Sequence, residues 1–244
     1  MEKQQTTPVS NLRIFGYALG EGAMSITMNG IANFAMVYYT LVLGLGAGMA
    51  GLALSITTLW DAVTDPVMGH VTDNTRSRFG RRHPYLLLGG VALVLSFYLL
   101  WFLPAKFEEP MAIFWCILLT NLLVRTAVTV FVVPYTALGF EICPEYNDRA
   151  RLQGIRSFLN QMVNILFGAL AWPVFFKDGV AVDGSRVDGT TIPENYVSMN
   201  HVLTSAAFIL IILCLFFTRM YAKDNRAAAL EGNSVKAFGK DMGS

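Results

Sequence analysis

The stretch WDAVTDP (Trp60–Pro66) places two carboxylates four residues apart near the end of an apolar run. On insertion scales, a carboxylate at the centre of a membrane helix costs about 2.5–3.5 kcal/mol. Four residues advance a helix by about 6 Å, so Asp61 and Asp65 share one face and their oxygens can converge on one small cation. This pair is the strongest indication in the sequence that the chain moves something across a membrane.

The residues alone allow two interpretations of this pair. In the first, Asp61 and Asp65 bind a cation, and hydroxyls such as Thr64 or Thr129 add the further oxygen ligands that a hard ion such as Na⁺ needs. A proton could take the place of Na⁺, because two close carboxylates release their protons in separate steps. In the second interpretation the pair is structural and is balanced by a buried arginine.

Composition and hydropathy indicate a polytopic membrane protein. Of the 244 residues, 54% are hydrophobic and 14% are charged, and the mean hydropathy is +0.49, whereas about a quarter of the residues in a soluble domain are charged. The net charge of +1 gives no sign of a nucleic-acid partner, and we expect none. No nucleophile–base set or metal-ligand set stands out. We therefore expect neither an enzyme nor any cofactor beyond a coupling cation.

Six apolar stretches are long enough to span a bilayer, which requires about 20 residues. They cover residues 12–40, 48–73, 84–104, 111–140, 152–176 and 200–222. Lysine and arginine concentrate on one side of these stretches, whereas the loop from Lys177 to Asn200 is rich in glycine and aspartate. Because cytoplasmic loops carry the excess of positive charge, we expect both termini in the cytoplasm. The predicted divisions are a cytoplasmic N-terminus (1–11), a six-helix bundle (12–222) and a cytoplasmic tail (223–244).

The segment between the second and third stretches, GHVTDNTRSRFGRR (Gly69–Arg82), has an ordered spacing of glycine, aspartate and arginine. It resembles the major facilitator superfamily, in which this loop carries Gly-x-x-x-Asp followed by Gly-Arg-Arg. With DAVTDP-x-x-G (Asp61–Gly69) and TRSRFGRR-x-PY (Thr75–Tyr85), the chain is more closely similar to the glycoside-pentoside-hexuronide:cation symporters, the melibiose-carrier family. The resemblance covers nearly the whole chain.

The resemblance implies an all-α membrane protein with six transmembrane helices. This would be the amino-terminal half of a major facilitator bundle, made of two inverted three-helix repeats. Family members have twelve helices, so we expect a missing carboxy-terminal six-helix half as partner, with the chain being a fragment or half of a split carrier; a homodimer is the alternative. Membrane lipid and a small-molecule solute are the other expected partners, and the bacterial inner membrane is the expected location.

The resemblance also implies site residues. Asp61 and Asp65 match the family's paired cation-site aspartates and would be the metal ligands if the ion is Na⁺, while Thr129 matches a polar cation-site position on helix four. Arg156 matches an arginine near the sugar site on helix five. The chain departs from the melibiose carrier at three positions. Ser25 and Val132 stand where that carrier has sugar-binding aspartates, and Thr136 stands where it has the aromatic residue that stacks on the sugar. A galactoside is therefore not the expected substrate, and Ser25 becomes a candidate substrate contact.

Two charges have no counterpart in that pattern. Glu21 lies one turn before Ser25 and is a further candidate substrate contact. Arg125 lies one turn before Thr129 on the same helix face. In one interpretation Arg125 binds an anionic substrate, because arginine grips carboxylates bidentately. In the other, equally supported, Arg125 forms an internal ion pair with Glu21 or Asp61.

Two amides and a charged loop complete the candidate residues. Asn160 and Asn164 lie beside Arg156 and fit the wall of a substrate cavity, although such groups also join helices to one another. In the family, the loop between helices two and three latches the two halves together through charged contacts. The corresponding residues here are Asp73, Arg76, Arg78, Arg81 and Arg82.

The function predicted from these residues is cation-coupled symport, driven by Na⁺ or H⁺, of a small polar solute such as a glycoside or uronide. The chain would do this as half of a twelve-helix carrier. One alternative is a lipid or lysolipid transporter of the same superfamily. Another is a membrane fragment that transports nothing.

Overall fold

The computed structural model describes residues 10–75, 82–180 and 184–241, with side chains described up to residue 219. Six long helices dominate these residues, and a one-turn helix extends the fifth. Their bounds are α1 (Asn11–Val37), α2 (Ala47–Asn74), α3 (His83–Phe102), α4 (Pro110–Ile142), α5 (Tyr146–Leu166), the short α6 (Trp172–Phe175) and α7 (Pro193–Asp241). The π-helical segments Tyr38–Val42 and Phe167–Ala171 extend α1 and α5.

The connection before α7 contains the only strands in the described residues. Strands β1 (Gly179–Val180) and β2 (Arg186–Val187) form an antiparallel hairpin. The 3₁₀ turn Gly189–Thr191 follows the hairpin, and another, Pro104–Lys106, follows α3. The six long helices, with their short extensions, match the six predicted spans. The all-α fold class is confirmed.

The last helix differs most from its predicted bounds. It begins at Pro193 rather than 200 and runs to Asp241, through most of the predicted tail. Hydropathy ends the span near 222, but the following residues, such as the run Arg226–Glu231, are strong helix formers. A helix can therefore continue where the apolar stretch stops. The division into bundle and cytoplasmic tail stays a prediction.

Four helical segments are long and apolar enough to cross a membrane on length and composition alone. They are His83–Lys106, Pro110–Ile142, Tyr146–Phe175 and Pro193–Arg219. The other two long helices, α1 and α2, carry several of the polar candidate residues. Those residues lie on the faces that meet α5 and α4.

The packing of the six long helices has an internal symmetry. Helix α1 packs against α5 and α7, helix α4 packs against α2 and α3, and α3 packs against α7. Exchanging the first three helices with the last three reproduces the same set of contacts. This is the pattern expected from two inverted three-helix repeats.

Helices α1 and α4 cross closely through two stacked tyrosines. The rings of Tyr17 and Tyr135 are parallel with centroids 4.3 Å apart, and each hydroxyl donates to the other residue's backbone carbonyl, at 2.7 and 3.0 Å. A Cβ at Gly20 would lie 2.7 Å from the Tyr135 ring, and one at Gly139 would lie 2.6 Å from the Tyr17 hydroxyl. The two glycines therefore provide the room in which the tyrosines stack.

Candidate cation and substrate site

Two of the polar contacts between helices α2 and α4 involve the candidate carboxylates, and we call these two contacts the α2–α4 ladder. Its first rung is an ion pair in which Arg125 Nη1 donates to Asp61 Oδ2 at 2.9 Å. In the second rung, the Thr129 hydroxyl donates to Asp65 Oδ1 at 2.8 Å. In each rung the two partners lie 64 residues apart in the sequence, because each helix supplies its two residues at the same four-residue spacing.

The α2–α4 ladder is only partly covered. The side chains of Asp61 and Arg125 are 24% and 29% exposed, and Asp65 is exposed, whereas Thr129 is buried. The second oxygen of Asp61, Oδ1, is buried and has no hydrogen-bond partner among the described residues. The hydroxyl of Thr64 donates to the Trp60 carbonyl of its own helix at 3.1 Å.

Oxygen ligands for a cation are thus present on α2 and α4. Within the described residues, no three or more histidine, cysteine or acidic side chains form a group that could hold a metal. A cation here would depend on the two carboxylates and the Thr129 hydroxyl. Such hard oxygen donors suit Na⁺ better than a transition metal.

Helices α1 and α5 are joined by a second pair of contacts, the α1–α5 ladder. Arg156 donates to Glu21 Oε2 from both Nε, at 2.9 Å, and Nη2, at 2.6 Å. One turn further, Asn160 Nδ2 donates to Ser25 Oγ at 2.7 Å. Asn164 Nδ2 in turn donates to the side-chain oxygen of Asn160 at 2.8 Å. Partners are 135 residues apart in both rungs.

The α1–α5 ladder is buried on its α1 side and half-buried on its α5 side. Residues Glu21 and Ser25 are 7% and 2% exposed, and the guanidinium of Arg156 lies over the Tyr135 ring, 5.1 Å from its centroid. Removing either partner of this largely covered ion pair would leave an uncompensated charge, which is strongly destabilising.

These contacts bring most of the candidate residues together in two groups. Arg125 pairs with Asp61, one of the two ion-pair partners considered from the sequence. The pairing of Glu21 with Arg156 was not foreseen. The repeated spacing could have suggested it, because Glu21 and Ser25 on α1 match Arg125 and Thr129 on α4.

The candidate latch is partly described. Arg82 Nε donates to Glu141 Oε1 at 2.7 Å, and Arg82 Nη2 lies 3.5 Å from Asp73 Oδ1. Arg82 thereby joins the ends of α2 and α4, and its contact with Glu141 was missed from the sequence. Three further latch candidates lie outside the described residues: Arg76, Arg78 and Arg81.

A groove of about 410 Å³ lies between the end of α4 and the start of α5. Its lining combines aromatic and small residues with two arginines, and through Arg156 it adjoins the α1–α5 ladder. The lining residues are Thr136, Gly139, Phe140, Tyr146, Arg149, Ala150, Leu152, Gln153 and Arg156.

Comparison with known proteins identifies the class to which this bundle belongs. A model of the MFS/sugar transport protein family matches residues 16–242. The chain therefore belongs to this family of the major facilitator superfamily, whose members are membrane transporters rather than enzymes. The resemblance to glycoside/cation symporters is confirmed.

Three relatives illustrate the similarity. The inner membrane symporter YicJ of Escherichia coli K12 is 28% identical over 84% of this chain and 42% of its own length. The putative glycoside/cation symporter YagG of the same organism is 30% identical, with the same coverage. The sodium-dependent lysophosphatidylcholine symporter 1 of Gallus gallus is 30% identical over 66% of this chain and 30% of its own length. The chain spans less than half of the length of each of these relatives.

Proposed function

We propose that this chain is the amino-terminal half of a cation-coupled symporter for a small polar solute, a glycoside or uronide. The observation that carries the proposal is the α2–α4 ladder, in which two carboxylates lie one turn apart and one buried carboxylate oxygen has no hydrogen-bond partner within the described residues. A buried oxygen of this kind is costly unless something binds it. The relatives named as symporters, one of them a putative glycoside/cation symporter, support the same class of function.

The coupling cation, Na⁺ or H⁺, would bind Asp61, Asp65 and Thr129, and no other cofactor is required. Neutralising these carboxylates lowers the electrostatic cost of closing a cavity around them. Cation binding would therefore favour the conformation that binds the solute, and rocking of the two halves would release both inside.

The solute would contact the α1–α5 ladder and its surroundings. The hydroxyl of Ser25 and the amides of Asn160 and Asn164 offer donors and acceptors suited to sugar hydroxyls. A uronide carboxylate could replace Glu21 as the partner of Arg156. Arg125 is already paired with Asp61, so a direct contact between Arg125 and the solute would require that pair to open.

A carboxy-terminal six-helix half would complete the cavity. Asp65 is exposed on a bundle whose helices lie in lipid, and an ionised carboxylate is not stable against hydrocarbon. A second half would cover this face and enclose water around it. In this arrangement the bundle spans a bacterial inner membrane, with both termini on the cytoplasmic side. Asp73 and Arg82 take part in a latch between the two halves.

A lysolipid carrier is the second candidate. The groove between α4 and α5 combines the exposed aromatics Phe140 and Tyr146 with Arg149, a combination that suits an amphipathic anion. A relative named as a sodium-dependent lysophosphatidylcholine symporter supports it. Val132, where the melibiose carrier has a carboxylate, adds an apolar side chain.

The test is uptake by vesicles that hold this chain together with a carboxy-terminal half. Labelled methyl-glucuronide, methyl-glucoside and lysophosphatidylcholine would be offered under an imposed Na⁺ or H⁺ gradient. We expect accumulation of a sugar derivative that Asp61→Asn and Asp65→Asn abolish, while Asp188→Asn in the loop before α7 does not. Accumulation of lysolipid alone would favour the second candidate, and gradient-independent uptake in every variant would refute symport.

A further inference from the structure

The two ladders are the same arrangement in the two inverted repeats, with the charges exchanged. When α1 is exchanged with α4 and α5 with α2, Glu21 becomes the equivalent of Arg125. Arg156 likewise becomes the equivalent of Asp61. Both first rungs are ion pairs, at 2.6 Å in the α1–α5 ladder and 2.9 Å in the α2–α4 ladder. In each repeat, one carboxylate is neutralised by one guanidinium.

The second rungs differ by one charge. Ser25 is hydrogen-bonded to the neutral amide of Asn160, whereas Thr129 is hydrogen-bonded to the carboxylate of Asp65. With all five acids and bases of the two ladders ionised, the Glu21–Arg156 pair brings the α1–α5 ladder to zero net charge. The α2–α4 ladder sums to one negative charge, located on Asp65.

We infer that Arg125 is the residue that makes the Asp61/Asp65 pair selective for one monovalent cation. By cancelling the charge of Asp61, it leaves a single negative charge, which one Na⁺, Li⁺ or H⁺ neutralises completely. A divalent ion would leave one uncompensated positive charge in a partly buried site, which is strongly unfavourable. The inference rests on the proposed cation site and assigns its charge selectivity to Arg125.

The geometry allows Arg125 to stay in place while an ion is bound. Its guanidinium donates to Asp61 Oδ2, whereas the oxygen that has no hydrogen-bond partner among the residues described is Oδ1. Arg125 therefore orients the Asp61 carboxylate through Oδ2 and leaves Oδ1 available to an ion. This makes it a positioning residue that also subtracts one charge from the site.

The experiment measures cation binding by the purified full chain in detergent at pH 8. Trp60 adjoins Asp61, and its Nε1 donates to Thr126 Oγ1 at 3.0 Å. The chain has four tryptophans, so the part of the fluorescence change that Trp60→Phe removes reports on the ladder. Na⁺, Li⁺ and Ca²⁺ would be titrated at constant ionic strength, with thermal stability as a second readout. The variants are Arg125→Gln, the charge-conserving Arg125→Lys, and Arg186→Gln as the control, because Arg186 is exposed in the β2 strand.

We expect Arg125→Gln to bind Ca²⁺ at least tenfold more tightly than the unmodified chain does. Arg125→Lys and Arg186→Gln should keep the original ratio of Na⁺ to Ca²⁺ affinity. A ratio in Arg125→Gln that stays within twofold of the original would overturn the inference while leaving the cation site intact. Absence of any saturable response to Na⁺ or Li⁺ in the unmodified chain, together with no proton binding detected by an indicator dye, would instead overturn the proposed cation site itself.

A second variant keeps the inference testable if Arg125→Gln does not fold. Thr129→Asp leaves Arg125 in place and brings the ladder to two net negative charges. Charge counting predicts the same gain in Ca²⁺ affinity, of at least tenfold. A monodisperse Thr129→Asp chain with unchanged Ca²⁺ affinity would show that net charge does not set selectivity.

Discussion

The α1–α5 ladder and the α2–α4 ladder use the same spacing and the same first-rung chemistry, yet one is closed and the other open. The side chains of Arg156 and Glu21 are 15% and 10% exposed, whereas those of Arg125 and Asp61 are 29% and 24% exposed. With every acid and base ionised, the closed ladder is neutral and the open ladder carries one negative charge. The open ladder also has a carboxylate oxygen with no hydrogen-bond partner in the part of the chain that the structure describes. On the proposed function, one copy of the contact joins helices and the other binds the coupling cation.

The substitution that should disrupt the open ladder most is Asp65→Asn. It makes the second rung resemble the Ser25–Asn160 rung and brings the ladder to zero net charge. We expect loss of at least a hundredfold in monovalent cation affinity, because the uncompensated charge that attracts the ion is gone. Cation titration of the purified chain measures this effect. A variant with undiminished affinity would mean that the ion binds elsewhere.

Neutralising the acid of each first rung compares the ladders directly in stability. Glu21→Gln removes the carboxylate partner of Arg156, whose side chain is only 15% exposed, and we expect a loss of about 3–5 kcal/mol in the free energy of unfolding. Asp61→Asn affects a more exposed pair, and we expect about 1 kcal/mol. Chemical unfolding in detergent measures both losses.

The double variant Glu21→Gln/Arg156→Gln is the control for that comparison. Because it removes both charges, it should recover most of the stability lost in Glu21→Gln. Equal losses for Glu21→Gln and Asp61→Asn would contradict the distinction between a closed and an open ladder.

Converting the closed ladder towards the open one is the converse experiment. Asn160→Asp gives the α1–α5 ladder the charge that Asp65 gives the α2–α4 ladder. We expect a loss of about 1–3 kcal/mol without added salt, because the new carboxylate faces the buried Ser25. Na⁺ should restore part of this stability beyond what choline restores. If the two salts have the same effect, ladder geometry and charge do not suffice for binding.

The smallest effect is expected at the edge of the bundle. Asp73 is 65% exposed and lies 3.5 Å from Arg82, so Asp73→Asn should cost less than about 1 kcal/mol. In the complete carrier it should slow transport with little change in solute affinity, because a latch affects the balance between conformations. Kinetics of uptake separate the two quantities, and a large loss of affinity at normal turnover would argue against a latch.

The fold was largely predictable because hydropathy identifies the helices that lie in lipid. The end of α7 was not, because hydropathy measures burial in a membrane rather than the tendency to form a helix. Within the candidate site, the sequence brought Asp61, Asp65 and Thr129 together through spacing and family resemblance. The contact between Glu21 and Arg156 was missed, because partners 135 residues apart on different helices leave no local pattern.

The contact between Arg82 and Glu141 was missed for a related reason. The predicted fourth span ended at 140, one residue before Glu141, so that side chain was not considered as part of any contact. In the structure α4 continues to Ile142. Small errors in helix ends therefore hide ion pairs at the edge of a bundle, whereas errors of that size leave the central ladders unaffected.

The central claim is that the α2–α4 ladder binds one monovalent cation. Isothermal titration of the purified chain with Na⁺ and Li⁺, together with proton release measured by an indicator dye, tests it directly. We predict one cation site per chain, present in Asn160→Gln and absent in both Asp61→Asn and Asp65→Asn. Undiminished binding in the two aspartate variants, or no binding of Na⁺, Li⁺ or a titratable proton by the unmodified chain, would contradict the claim.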